Sequence, residues 1–227
     1  MPAALELAQA YRRLGSSVTL VPQGGLLPGF EPELVAILLQ DLREEGVIVR
    51  DDAEVSAIVP RSQGTGVSLQ TQKGEDSLDV SHILVAMGRT PMLDAALLAK
   101  LKLRRDRLRP DHLLIGPDGQ TSNGRVSAIG GAAGEHQPHI IARQATLLID
   151  RLLGLGNGRL DPLLVPRFVA TEPALAQVGL FTAGKPLRAG QNVLRANLAE
   201  TDAARAAGEA LGAVRLVVGR NGRIAGA

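Results

Sequence analysis

Residues 3–49 alternate twice between a helical pattern and a strand pattern with short joints, and this rhythm constrains the fold more than any other feature. Residues 3–14 put Ala4, Leu7, Tyr11 and Leu14 on one helical face, the expected inward face. Arg12 and Arg13 suit the last turn of that helix, and Gly15 suits its stop. Residues 17–21, Ser-Val-Thr-Leu-Val, read as a buried strand. A Gly/Pro loop, residues 22–29, leads to Glu31, Pro32 and Glu33, an acidic helix start with proline at its beginning. That helix runs to about Glu45 with Val35, Leu38, Leu39 and Leu42 inward. Gly46 stops it, and residues 47–49 form the next strand. Helix, strand, helix, strand with short loops is the doubly wound α/β pattern.

The rhythm changes after Ala53. Residues 55–59, 67–71 and 77–80 read as a β-meander with turns at 64–66 and 73–75. Residues 82–87, His-Ile-Leu-Val-Ala-Met, read as a returning parallel strand closed by Gly88-Arg89-Thr90-Pro91. A short helix over 94–101 and a strand over 113–115 follow, then a long helix from His139 to Leu153. Residues 154–161 form a Gly/Asn linker and the clearest domain boundary. Strands are expected at 167–171, 178–180, 192–196 and 214–218. Asn221-Gly222 marks a hairpin turn, with Ile224 opening the return strand.

Composition excludes several chemistries. The chain has no cysteine, so it holds no disulfide, thiolate metal site or thiol redox centre of its own. Its aromatics are Tyr11, Phe30, Phe168 and Phe181, too few for base-stacking platforms, and its net charge of +2 gives no strong field for polyanions. The basic run over residues 100–109 reads as a solvated connector, so no nucleic-acid partner is expected. No apolar run is long enough to span a membrane, and Glu6 interrupts what would be a secretion-signal core, so a soluble cytoplasmic protein is expected. Glu135, His136 and His139 have metal-like spacing, but Pro138 between the histidines makes a helix start the better reading. No Gly-x-Ser-x-Gly signature is present.

One stretch points to a ligand. In residues 121–134, Thr-Ser-Asn-Gly-Arg-Val-Ser-Ala-Ile-Gly-Gly-Ala-Ala-Gly, a short apolar strand (Val126, Ala128, Ile129) runs into Gly130 and Gly131. The long helix begins soon after. Strand, glycine turn and helix N-terminus together let backbone N–H groups face an anion or a nucleotide, and glycines leave room for close approach.

In order along the chain, four stretches resemble the flavin- and pyridine-nucleotide-dependent disulfide oxidoreductases, above all mercuric reductase and dihydrolipoamide dehydrogenase. Residues 4–20 are similar to the helix and second strand of that family's nicotinamide-binding domain. Residues 83–91, Ile-Leu-Val-Ala-Met-Gly-Arg-Thr-Pro, resemble its Ala-Thr-Gly-Arg-x-Pro strand end. Residues 121–134 resemble its second flavin motif, and residues 165–180 the opening of its dimer-interface domain.

The resemblance implies a partial Rossmann-type nucleotide-binding domain with a β-meander, followed by the start of an α+β dimerisation domain. Residues 1–92 would belong to the NAD(P)-binding domain, 93–158 to the return of the FAD-binding domain, and 159–227 to the first half of the interface domain. It implies FAD and NAD or NADP as cofactors, a homodimer, and a small-molecule disulfide or mercuric substrate. It also implies an interior fragment, with the first flavin motif and the redox thiols lying outside these residues. Glu6 matches the family Glu that meets the nicotinamide amide. Ala86, Met87, Gly88 and Arg89 match the strand end lining the nucleotide cleft. Gly130 and Gly131 match the Gly-Asp that meets the flavin ribityl chain, and His139 and Ile140 match the helix start behind it. No catalytic residue carries over. Two departures stand out: Gly131 replaces the family Asp, and Pro22 replaces the acid that takes the adenine ribose. Both favour a second reading, a non-catalytic nucleotide-binding and dimerisation module.

Overall fold

A computed structural model describes residues 2–182 and 189–227. The chain divides into two compact units, Met1–Met87 with Pro166–Ala227, and Gly88–Val165. Among the described residues, no helix is long and apolar enough to cross a membrane.

In the first unit, α1 (Pro2–Arg13), β1 (Thr19–Leu20), α2 (Pro32–Glu44) and β2 (Ile48–Val49) form the doubly wound element, with β1 and β2 paired in parallel. The expected inward residues of α2, Val35, Leu38, Leu39 and Leu42, are all buried. They pack with Leu5, Ala8, Leu27, Phe30, Val47, Val169 and Leu175 in one core.

The face of α1 differs from the expectation. Leu5, Ala8 and Gln9 are buried, whereas Leu7, Tyr11 and Leu14 are exposed. One residue along a helix is about 100° of rotation, and polar anchors set this angle. Gln9 donates to Glu172 O at 2.7 Å and to Glu45 Oε1 at 2.9 Å, and its own carbonyl accepts from Glu172 N at 2.9 Å. Arg12 Nε donates to Glu45 O at 2.8 Å. Satisfying these buried groups outweighs the burial of Leu7 and Tyr11.

The meander is present as β3 (Ala53–Pro60), β4 (Thr65–Thr71) and β5 (Gly74–Val80), antiparallel in that order, over a small core of Ala53, Val67 and Leu69. The parallel strand expected at 82–87 is not formed. Ile83, Leu84, Val85 and Met87 are 41–73% exposed. A parallel strand needs a neighbour for its backbone groups, and none of the described strands pairs with this stretch.

Further along, β6 (Arg167–Val169) pairs with β7 (Leu175–Gln177), and α1 packs beside β6. The strand expected at 178–180 is displaced to β7. Residues 178–180 instead bond across to 225–227, through Val178 N to Ala227 O and Leu180 N to Ala225 O. A three-stranded antiparallel sheet follows, built from β8 (Asn192–Asn197), β9 (Ala213–Val218) and β10 (Ile224–Gly226), with α5 (Asp202–Ala207) between β8 and β9. The Asn221-Gly222 turn joins β9 to β10 as expected, with Gly222 at φ +70°.

The second unit holds α3 (Ala95–Lys100), N-capped by Asp94, and α4 (Pro138–Leu152). The strands expected near 113–115 and 126–129 are reduced to single bridges, Arg105 with Leu113, Ile115 with Thr121 and Gln120 with Ser127. Turns at 116–119 and 123–126 interrupt the pairing before a ladder can extend. Leu98, Leu113 and Ala128 form the core of this unit.

Candidate functional site

The glycine turn is built by the residues before and after it. Thr121 is buried, and its Oγ1 donates to Val126 O at 2.8 Å and Asn123 O at 3.1 Å. Asn123 Nδ2 donates to Leu101 O at 2.8 Å, and Ser122 Oγ accepts from Arg104 N at 2.8 Å. The Thr-Ser-Asn run is thus a clamp that fixes the entry to the turn.

Ile129 is extended, and residues Gly130–Ala133 form a short 3₁₀ turn ended by Gly134 at φ +77°. Gly130 stands where a side chain would be strained. Its φ is +60°, and a Cβ there would come within 3.2 Å of Ile141 Cγ2. Gly130 N donates to Gln144 Oε1 at 2.9 Å, tying the turn to the second turn of α4. Gly131 is different: it is exposed, with nothing within 4 Å of where a Cβ would stand. Its surface is open to an approaching ligand, and it offers no carboxylate.

The start of α4 carries its own anion. Glu135 Oε1 accepts from His136 N at 2.7 Å and from Gln137 N at 2.9 Å, placing a carboxylate at the positive end of the helix. His139 is half-buried and Ile140 is buried behind the turn. Ile140 N donates back to Gln137 O at 3.1 Å. His136 Nε2 lies 3.3 Å from Arg89 O, which brings the Gly88-Arg89 segment beside the entry to α4. Among the described residues, no group of three or more His, Cys, Asp or Glu could hold a metal ion.

The far end of α4 is locked to the same segment. Arg151 bonds Asp118 Oδ2 at 2.7 Å and Ser127 Oγ at 2.8 Å. Burial pushes the Asp118 carboxyl up, but the backbone N–H of Gln120 and the Arg151 guanidinium outweigh it and hold the group below the usual carboxylate range. A depressed value in the folded state means that ionised Asp118 stabilises the chain above the unfolded pKa of about 3.9. That contribution is lost as pH falls through the lower folded value. Asp118→Asn is therefore expected to lower the melting temperature at pH 7 and to flatten its decline below about pH 4. Thermal melts followed by circular dichroism at a series of pH values check this; equal slopes for the two proteins would count against it.

The remaining sequence-predicted residues lie elsewhere in the chain. Glu6 is on α1, and its Oε1 accepts from Ala170 N at 2.8 Å. Ala86 and Met87 close the first unit, Ala86 half-buried and Met87 72% exposed. Gly88 and Arg89 open the second unit, both exposed.

Sequence reasoning missed one further feature, a pocket of about 900 Å³ in the first unit. Its walls are the loop over residues 22–30, the first turns of α2, the start of β3 and the β4–β5 turn. It opens just beyond the carboxyl ends of β1 and β2, where open α/β sheets receive ligands. The Gly/Pro run was legible as a loop, but nothing in it signalled that three other segments would face it.

Residues 2–146 match the family model described as pyridine nucleotide-disulphide oxidoreductase. The mercuric reductase of Streptomyces lividans is 31% identical over 183 residues, covering 79% of this chain and 38% of its own length. The dihydrolipoyl dehydrogenase of Thermus scotoductus is 33% identical over 194 residues, covering 83% of this chain and 41% of its own. The chain thus spans less than half the length of these relatives. The HOCl-induced flavoprotein disulfide reductase RclA of Escherichia coli matches 100% of this chain and 52% of its own, with a TM-score of 0.83 at 22% identity. LpdA of Mycobacterium tuberculosis matches 99% of this chain and 49% of its own, with a TM-score of 0.84 at 23% identity. The structures establish a shared fold, the family model covers well over half of the residues, and the chain belongs to the pyridine nucleotide-disulphide oxidoreductase family.

Proposed function

We propose that this chain is part of an FAD-dependent oxidoreductase that moves electrons from NAD(P)H to a disulfide or a mercuric ion. Within that reading, residues 1–92 serve the nicotinamide nucleotide, 93–158 the flavin, and 159–227 the interface of a homodimer, in the cytoplasm. The observation that carries it is the Gly130–Gly131 turn feeding α4, set inside a stretch that matches the family from residue 2 to residue 146. The names of the matched proteins, a mercuric reductase and a dihydrolipoyl dehydrogenase, support the two acceptor classes.

Bound FAD would supply hydride acceptance and onward electron transfer. The chain's own residues hold and orient. Gly130 and Gly131 give backbone approach to the flavin chain, with His139 and Ile140 behind them. Glu6 and residues 86–89 serve the nicotinamide side. By shape the turn fits the flavin, since Gly131 is open, but the hydroxyl acceptor of the family pattern is absent. The thiols of a disulfide step must come from outside these 227 residues, which contain no cysteine, so the isolated chain should show no turnover.

The test is FAD binding by the chain, followed by flavin fluorescence. Gly131→Asp places a carboxylate in open space at a backbone without positive φ, so folding is expected to be unchanged. A charge-assisted hydrogen bond is worth about 1.5–3 kcal/mol, so the variant is expected to bind FAD about tenfold to a hundredfold more tightly. Binding that Gly131→Asp leaves unchanged would sink the flavin reading of this turn. It would favour the second one, a non-catalytic nucleotide-binding and dimerisation module, for which the missing carboxylate at Gly131 is the specific support.

A further inference from the structure

The chain leaves α3 as a basic hairpin over residues 100–112, and its own backbone fixes the shape. Leu103 packs on the core of Leu98, Leu113 and Ala128, and Leu101 is half-buried. The alternate positions Lys100, Lys102 and Arg104 are exposed. The Arg105–Leu113 bridge closes the base of the hairpin. Beyond it, Asp106 N donates to His112 O at 2.9 Å and His112 N donates to Arg109 O at 2.8 Å. At the tip, Leu108 N donates to Asp106 Oδ1 at 2.8 Å. The Leu108 side chain is nonetheless 92% exposed, between the exposed Arg107 and Arg109. Six cations, Lys100, Lys102, Arg104, Arg105, Arg107 and Arg109, stand against two carboxylates, Asp106 and Asp111. Asp106 is committed to the backbone of the tip and to Arg109 at 3.5 Å. Among the described residues, Lys100, Lys102, Arg104 and Arg107 make no ion pair.

We propose that this hairpin docks the protein on the surface of an anionic lipid bilayer, with Leu108 entering the headgroup region and the cations around it meeting lipid phosphates. A leucine held out in water between two arginines gains by burial where apolar chains lie just beneath a layer of negative charge, which is the arrangement of a bilayer surface. Backbone bonds already order the tip, so docking costs little conformational entropy. Nucleic acid suits this surface less well. The aromatics of the chain, Tyr11, Phe30, Phe168 and Phe181, all lie outside the hairpin, so bases find no stacking platform there, and a leucine tip has no partner along a phosphate backbone. An acidic protein surface would answer the cations but gives Leu108 no apolar layer to enter. The contact is peripheral and reversible, and needs no membrane-spanning helix.

The experiment floats the chain on a density gradient with vesicles of phosphatidylcholine, either alone or with about one-third phosphatidylglycerol to make the surface negative. Flotation separates bound protein from aggregates, which sink. The wild type is expected to float with the anionic vesicles at low salt, to stay behind with the neutral ones, and to be released as salt rises. Arg104→Gln combined with Arg107→Gln should weaken binding about tenfold or more, since each cation near such a surface counts for about fivefold. Leu108→Ser should weaken it several-fold and leave the salt dependence unchanged. All three positions are exposed, and circular dichroism matching the wild type shows that the fold is kept. Absence of flotation with anionic vesicles at low salt would overturn the proposal, as would flotation that the double variant retains in full. Binding that Leu108→Ser leaves unchanged would assign the hairpin to polyanions in general and overturn the bilayer assignment.

Discussion

Replacing Arg215 by leucine is expected to cost the chain about 3 kcal/mol of stability, the lower end of what breaking a buried ion pair costs. Glu31 sits at the N-cap position of α2 and is only 4% exposed. Its carboxylate accepts from the Arg215 guanidinium on β9 and from Thr182, through both the backbone N–H and the hydroxyl. Arg215 Nη2 also donates to Thr182 Oγ1 at 3.1 Å, so Glu31, Thr182 and Arg215 share one polar cluster. Without Arg215 the buried carboxylate loses the guanidinium that stands against its charge. The N-terminal end of α2 and the Thr182 donors soften that penalty, which is why the lower end of the range is expected. Urea unfolding at pH 7 measures the loss, with an unchanged m-value showing that the denatured state is not the cause. Glu31→Gln combined with Arg215→Leu should cost less than the two single changes added together, by about 1–3 kcal/mol. A single-variant loss below about 1 kcal/mol would mean that the pair contributes as a surface contact does.

Glu31 also shows where sequence reading stops. The acidic, proline-containing start of α2 was legible from Glu31, Pro32 and Glu33, and so was its apolar face. Both follow from local rules of capping and periodicity. Arg215, which bonds Glu31, lies 184 residues away on another element, and no local rule reports it. The face of α1 was misread for the same reason. Its orientation is set by Gln9 and Arg12 reaching residues 172 and 45, and a count of apolar residues gives polar anchors no weight. Residues 82–87 have the composition of a buried strand, yet strand formation is a property of a pair. At the candidate site, Gly130 was legible as part of a strand, glycine and helix pattern read for close approach of a ligand, and the structure adds that it holds a positive φ. The clamp by Gln144 and the carboxylate of Glu135 at the head of α4 appear only once the turn has folded. The pocket was illegible because its walls come from separate stretches, none unusual by itself.

Leu42→Ala is expected to destabilise the chain by about 3–4 kcal/mol, and its spatial reach matters as much as its size. Leu42 is fully buried on α2, in the core that gathers Leu5 from α1, Val47 before β2, Val169 from β6 and Leu175 from β7. That core joins residues 5–47 to residues 169–175 across more than a hundred residues of intervening sequence. Removing three side-chain carbons there loses their transfer free energy and leaves a cavity that two helices and two strands must share. If the core is one cooperative unit, the loss appears as faster hydrogen exchange at β6 and β7 as well as at α2, because all of them open together. The polar contacts of the same region agree with that. Glu6 to Ala170, Gln9 to Glu172 and Gln177 to Gly29 all cross the same sequence gap. Urea unfolding gives the magnitude, and amide exchange followed by mass spectrometry gives the reach. Exchange that rises in α2 while β6 and β7 stay protected would show that the segments fold independently, and that the polar bonds between them only hold two separate bodies in register.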